Sequence, residues 1–98
     1  MLVHNVFFWL KKDLTQEQTK LFEEKLEALA HIECIEDMYW GKPTTIDRPV
    51  VDKSYSYALT ILCNDMAAHD AYQVDPLHKD FLEHCKTFWD KVVIYDAE

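Results

Sequence analysis

Leu2-Val3-His4-Asn5-Val6-Phe7-Phe8-Trp9-Leu10-Lys11 reads as a strand, rich in Val, Phe and Trp. Side chains of a strand alternate between two faces. Leu2, His4, Val6, Phe8 and Leu10 share one face, and Val3, Phe7 and Trp9 share the other. Both faces are apolar, so this strand needs cover on two sides. That requirement decides the architecture of the whole chain.

Working outward, Thr15 opens a helix, with Gln18 three residues on completing a capping box. Phe22, Leu26 and Leu29 recur at helical spacing and Leu21 widens the stripe, while Glu23, Glu24, Glu27, Lys20 and Lys25 form the wet face. Residues 32–40 read as a second strand, closed by Gly41-Lys42-Pro43, and residues 43–52 as a loop. A third strand spans 55–63, with Tyr55, Tyr57, Leu59, Ile61 and Cys63 on one face. Asn64 or Asp65 caps a helix that starts at Met66, breaks at Asp75-Pro76 and continues to about Phe88. Residues 92–95 form the last strand. The order β-α-β-β-α-β predicts an α+β, ferredoxin-like fold: a four-stranded antiparallel sheet with two helices on one face.

Two helices shield one side of such a sheet. Phe7, Trp9, Ala58, Thr60 and Leu62 leave the second side apolar as well. Burying a Phe or Trp is worth roughly 1.5–3 kcal/mol, and a large exposed apolar sheet aggregates. The chain shows no spare element to cover it. The expectation is a homodimer through the open sheet face, sheets about 10 Å apart. The loop from Pro43 to Lys53 is expected to reach across to the partner.

The composition agrees with one domain over residues 1–98, without internal repeat or low-complexity tract. With 49% hydrophobic residues and 13% aromatics, the chain is not a disordered one. A formal net charge of −8 argues against nucleic acid and anionic membrane surfaces as partners. No run approaches the ~20 apolar residues of a membrane span. The start Met1-Leu2-Val3-His4 does not read as a signal peptide. Cys34, Cys63 and Cys85, odd in number and widely spaced, suit free thiols in a reducing cytoplasm.

Chemistry concentrates in Tyr72-Gln73-Val74-Asp75-Pro76-Leu77-His78. Pro76 cannot continue the preceding helix, and it suits the first position of a new one with Asp75 as N-cap. The junction holds a phenol and an imidazole together. His78 is then the third residue of the new helix, where the dipole disfavours imidazolium and leaves a neutral base. Tyr72 can donate its phenolic proton to an oxyanion or enolate. The plainer alternatives are a His that caps the helix start and a core Tyr bonded to a carbonyl. His4, which shares its face with Val6 and Phe8, reads either as a pocket residue or as a core histidine. Tyr57, Phe81 and Trp89 read as pocket walls or as core. His31, His69 and His84 are scattered, and no His-x-x-x-His or Cys-x-x-Cys pair signals a metal site. A single Gly allows no phosphate-binding loop.

Several motifs together carry a resemblance. They are the first-strand His4, Met38-Tyr39-Trp40-Gly41-Lys42, Tyr55-Ser56-Tyr57-Ala58-Leu59, Tyr72-x-x-x-Pro76-x-His78-x-x-Phe81, and Phe88-Trp89-Asp90-Lys91. In this order and spacing the chain resembles the stress-responsive dimeric α/β-barrel (Dabb) family over nearly its whole length. The resemblance implies a ferredoxin-like fold and a two-subunit barrel. The related superfamily includes cofactor-independent monooxygenases and isomerases. One plant member is a polyketide cyclase that uses a His–Tyr pair and neither metal nor organic cofactor. The resemblance maps that pair onto His78 and Tyr72, and a first-strand pocket His onto His4. A third-strand His of that pattern corresponds to Tyr57 here, and a pocket aromatic and a Tyr on its first helix to Glu23 and Leu26. Two readings follow. One is a binding module for a small apolar or aromatic ligand. The other is a cofactor-free cyclase or isomerase in which His78 removes a proton α to a carbonyl and Tyr72 stabilises the enolate. A void of ~300 Å³ or more with apolar walls favours ligand binding, and a filled core favours the plainer, structural roles of these residues.

Overall fold

The alternation in the first strand is realised residue by residue. Leu2, His4, Val6 and Phe8 are buried, while Val3, Asn5 and Phe7 between them are half-buried. The structure, a computed structural model, describes residues 1–98. Its elements are β1 (Leu2–Leu10), α1 (Gln16–Ala28), β2 (Asp37–Gly41), β3 (Tyr57–Cys63), α2 (Met66–Gln73), α3 (Pro76–Cys85) and β4 (Trp89–Ala97). Short 3₁₀ turns follow α1 at Leu29–His31 and α3 at Lys86–Phe88. The sheet is antiparallel in the order β2-β3-β1-β4, so the fold is ferredoxin-like as the element order implied.

Registers follow the apolar pattern. Leu2 to Phe8 lie opposite Cys63 to Tyr57, which places Leu59, Ile61 and Cys63 on the same face as Val6, His4 and Leu2. The helices cover that face. Thr15 accepts from the Gln18 amide and Gln18 Oε1 accepts from the Thr15 amide, the reciprocal box read from the sequence. Phe22 and Leu26 of α1 are fully buried against the sheet. Lys25 Nζ donates to Asp80 Oδ2 at 2.7 Å and ties α1 to α3.

Three boundaries differ from the sequence expectation. The second strand begins at Asp37 rather than residue 32. β3 ends at Cys63, and Asp37 already lies opposite Leu62, so residues upstream have no strand left to pair with. Ile32 is buried nonetheless, as a core residue in a turn. The third strand begins at Tyr57, and Tyr55 does not continue its helix-side face. Tyr55 packs on Phe7 and Trp9, on the opposite face, with ring centroids 5.2 and 6.4 Å away. The second helical stretch does reach Phe88, its last turn tightening to 3₁₀ from Lys86. Finally, β4 is longer than residues 92–95, because β1 offers partners from Val3 to Leu10 and β4 uses all of them. Most of its residues are exposed, as suits a sheet edge.

The open face also has partial cover from within the chain. Trp9 Nε1 donates to Ser54 Oγ at 3.1 Å, and the Lys91 ammonium sits 4.6 Å from the Trp9 ring. Ser54, just past the loop from Pro43 to Lys53, thus lies on the chain's own sheet.

Candidate functional site

Three local features build the site. First, strand alternation turns His4, Val6 and Phe8 toward the helices. Second, Asp75 accepts from the Leu77 amide at 2.8 Å and starts α3 immediately after α2. With Pro76 in the first turn, the chain breaks once, between Tyr72 and His78. Third, β4 runs beside β1 and brings Val92 and Ile94 to the same side.

Between these elements lies a cavity of about 170 Å³. His4, Tyr72, Gln73 and His78 supply its polar groups; Val6, Phe8, Leu59, Phe81, Leu82 and Trp89 supply most of its apolar wall. Val92 and Ile94 complete the lining and are 39% and 51% exposed, so the mouth opens at the β4 edge. The volume is below the roughly 300 Å³ of ordinary ligand pockets and suits a molecule of about one ring.

The Tyr72 and His78 rings meet edge to face, centroids 4.8 Å apart. His78 Nδ1 is buried and finds no hydrogen-bond partner in the chain. Burial lowers the His78 pKa first and the nearby His4 second, while the Gln73 backbone and the Asp75 carboxylate pull the other way. The result is a neutral imidazole at pH 7. The direction matches the sequence reading; the cause is desolvation and a neighbouring imidazole, not the helix start alone. Burial pushes the Tyr72 phenol well above its ordinary value, so it remains a proton donor.

His4 Nδ1 donates to Asp96 Oδ1 at 2.6 Å. The two are cross-strand partners in the β1–β4 ladder, so register sets this contact. Burial lowers the His4 pKa, and the Asp96 bond opposes it. His4 also touches Tyr72 and His69, with ring centroids 5.8 and 4.9 Å apart.

Of the six residues read as site candidates, five line the cavity: His78, Tyr72, His4, Phe81 and Trp89. Tyr57 does not. It is buried outside the cavity, where its hydroxyl donates to Glu23 of α1 and its ring packs on Phe22. Tyr57 and Glu23, two departures from the family pattern, are therefore one interaction. Lys42 joins it, 3.5 Å from the Glu23 carboxylate. Two residues escaped sequence reading. His69 and Asp96 come beside His4 from α2 and β4, and their donor atoms and that of His4 lie within 4.8 Å of one another. No spacing motif could show this, since the residues sit on three elements far apart in the chain.

Fold and site define a ferredoxin-like α+β domain with a His–Tyr contact beside a small cavity between sheet and helices. The stress-responsive A/B barrel domain (Dabb) family matches residues 2–98, and the chain belongs to that family. Olivetolic acid cyclase from Cannabis sativa is 24% identical over 94 residues, which is 95% of this chain and 91% of the cyclase. Among solved structures, a dimeric ferredoxin-like protein of unknown function from Thermobifida fusca has a TM-score of 0.79 at 20% identity, over 98% of this chain and 88% of that one. Hydroxynitrile lyase from Passiflora edulis has a TM-score of 0.79 at 19% identity, over 98% and 90%. At such identities the structural likeness establishes the fold alone. No helix of this chain is long and apolar enough to cross a membrane.

Proposed function

We propose that the chain binds a compact aromatic or apolar carbonyl compound in the cavity, and that His78 and Tyr72 perform acid–base chemistry on it. The observation that carries this reading is a neutral imidazole with a buried, unpartnered nitrogen, edge to face with a protonated phenol, inside an apolar-walled cavity. An imidazole of this kind takes the proton α to the carbonyl. The electron pair moves onto the carbonyl oxygen, and Tyr72 donates a hydrogen bond to the enolate. Return of the proton to another carbon is isomerisation; attack of the enolate on a second carbonyl is aldol cyclisation. The relatives' printed names, a cyclase and a hydroxynitrile lyase, fit chemistry of this type.

The site's shape sets the substrate class. Phe22 packs on Phe8, a cavity wall, and on Tyr57 behind it. With a volume of about 170 Å³, the cavity fits a single ring with a short substituent better than a long chain. We also infer that two copies pair through the open sheet face, a reading supported by solved neighbours that are described as dimeric, and that the protein works in a reducing compartment such as the cytoplasm. Three free thiols, two of them buried, support the latter.

Acetophenone in deuterated buffer tests the chemistry, with α-hydrogen exchange followed by NMR. The wild type is expected to accelerate exchange, His78→Ala to abolish the acceleration, and Tyr72→Phe to reduce it by about 10²-fold. A second reading, binding without chemistry, is favoured by the largely apolar lining. It predicts quenching of Trp89 emission by acetophenone with no exchange above buffer in any variant.

A further inference from the structure

We propose that His4, His69 and Asp96 form a binding site for a divalent first-row transition ion of the zinc type. This reverses the sequence expectation of no metal site, and it stands independently of the acid–base reading. The three donor atoms lie within 4.8 Å of one another. Three points so close share a centre at most about 2.8 Å from each, so side-chain movements under about 1 Å reach ordinary bond lengths of about 2.0–2.2 Å. His4 Nδ1 and Asp96 Oδ1 are already 2.6 Å apart and held by the β1–β4 register.

His69 is the informative member. Its side chain is 13% exposed, and its Nδ1 is buried with no hydrogen-bond partner. The Asp70 carboxylate is 3.7 Å from that nitrogen, too far to satisfy it. The other nitrogen accepts only a long 3.4 Å bond from Gln73 Nε2. A buried imidazole this poorly satisfied costs free energy unless something else binds it. The cap of α2 holds it in place, since Asp65 accepts from the Ala68 amide one residue before His69.

Donor chemistry selects the ion. Two imidazoles and one carboxylate suit zinc, cobalt, nickel or ferrous iron, whereas magnesium and calcium demand oxygen ligands. Three protein donors leave a fourth position open, as in catalytic rather than structural sites. His4 also lines the cavity, so that open position adjoins the ligand space. Asp96 is 36% exposed and gives the ion a route from solvent.

The experiment is calorimetric titration of zinc into chelator-stripped full-length protein, with imidazole NMR as second readout. One saturable equivalent per chain is expected, with shifts at His4 and His69, undiminished by excess magnesium. His69→Gln and Asp96→Asn should each weaken binding by more than about tenfold. His84→Ala, which removes the exposed His84–Asp80 pair, should leave it unchanged. Circular dichroism confirms that the variants fold, and a variant that does not is replaced by His69→Ala or Asp96→Ala. The proposal is overturned by an absence of saturable heat, by wild-type affinity in either folded variant, or by shifts confined to His31 and His84.

Discussion

His78 shows how burial of one titratable residue couples stability to pH. Its folded pKa is lowered, chiefly by burial, then by His4, with His69 adding a little and Gln73 and Asp75 opposing. In the unfolded chain it titrates near its ordinary value of 6.5. As pH falls below that value the unfolded state takes up a proton that the folded state refuses, so stability drops until the folded pKa is also passed. His78 thus contributes stability that is complete above the unfolded pKa and lost on acidification. Denaturant unfolding at about pH 7.5 and about pH 5.5 should show lower stability at the acid pH, with a smaller drop for His78→Gln. An equal drop in both proteins would count against a buried neutral imidazole. Sequence reading reached the neutral state through the helix start and could not see His4, because the contact depends on packing. Tyr57 illustrates the reverse limit: its place on a core face was legible, but its hydroxyl partner on another helix was not.

At the scale of elements, the break between α2 and α3 positions Tyr72 against His78. Asp75 was legible as its cap because an acidic residue before Pro is a strong local signal, and the structure uses it as read. Asp75→Ala removes the bond to the Leu77 amide and should cost about 0.5–2 kcal/mol. It should also slow acetophenone exchange, since it loosens the turn that sets the 4.8 Å Tyr72–His78 contact. Thr15→Ala is the control: it should cost a similar amount through the α1 capping box without slowing exchange. Equal slowing in both variants would show that global stability, not the break, governs the site. The strands were less legible at their ends. Ile32 and Ile35 look like strand residues, yet pairing needs a partner, and β3 has none to offer beyond Cys63. The Val-Val-Ile-Tyr run at 92–95 marked the last strand, whereas residues 89–91 and 96–97 join it only because β1 offers them partners.

For the whole molecule, the open sheet face is the surface that the alternation of Phe7 and Trp9 along the first strand made visible. Phe7, Trp9 and Val93 on it are half-buried, and Tyr95 is 65% exposed. Tyr55 and Ser54 roof one part, which leaves a hollow of about 360 Å³ floored by Phe7, Trp9 and Val93. The sequence could not show that roof, because the loop is polar and irregular and only folding lays it down. Its cover is partial, so the hydrophobic drive toward a second copy remains. The chain weighs 11.6 kDa, and light scattering should return twice that mass. Phe7→Arg places a charge between Tyr55 and Tyr95 at the centre of this face, where a paired sheet would leave it desolvated and unpaired. It should therefore shift the protein to the single-chain mass. The cavity lies across the sheet from Phe7, so this variant should keep His78 beside Tyr72 and retain exchange activity. A wild type that scatters as a single chain would mean that the roof from residues 52 to 55 suffices, and the paired-sheet architecture would fall.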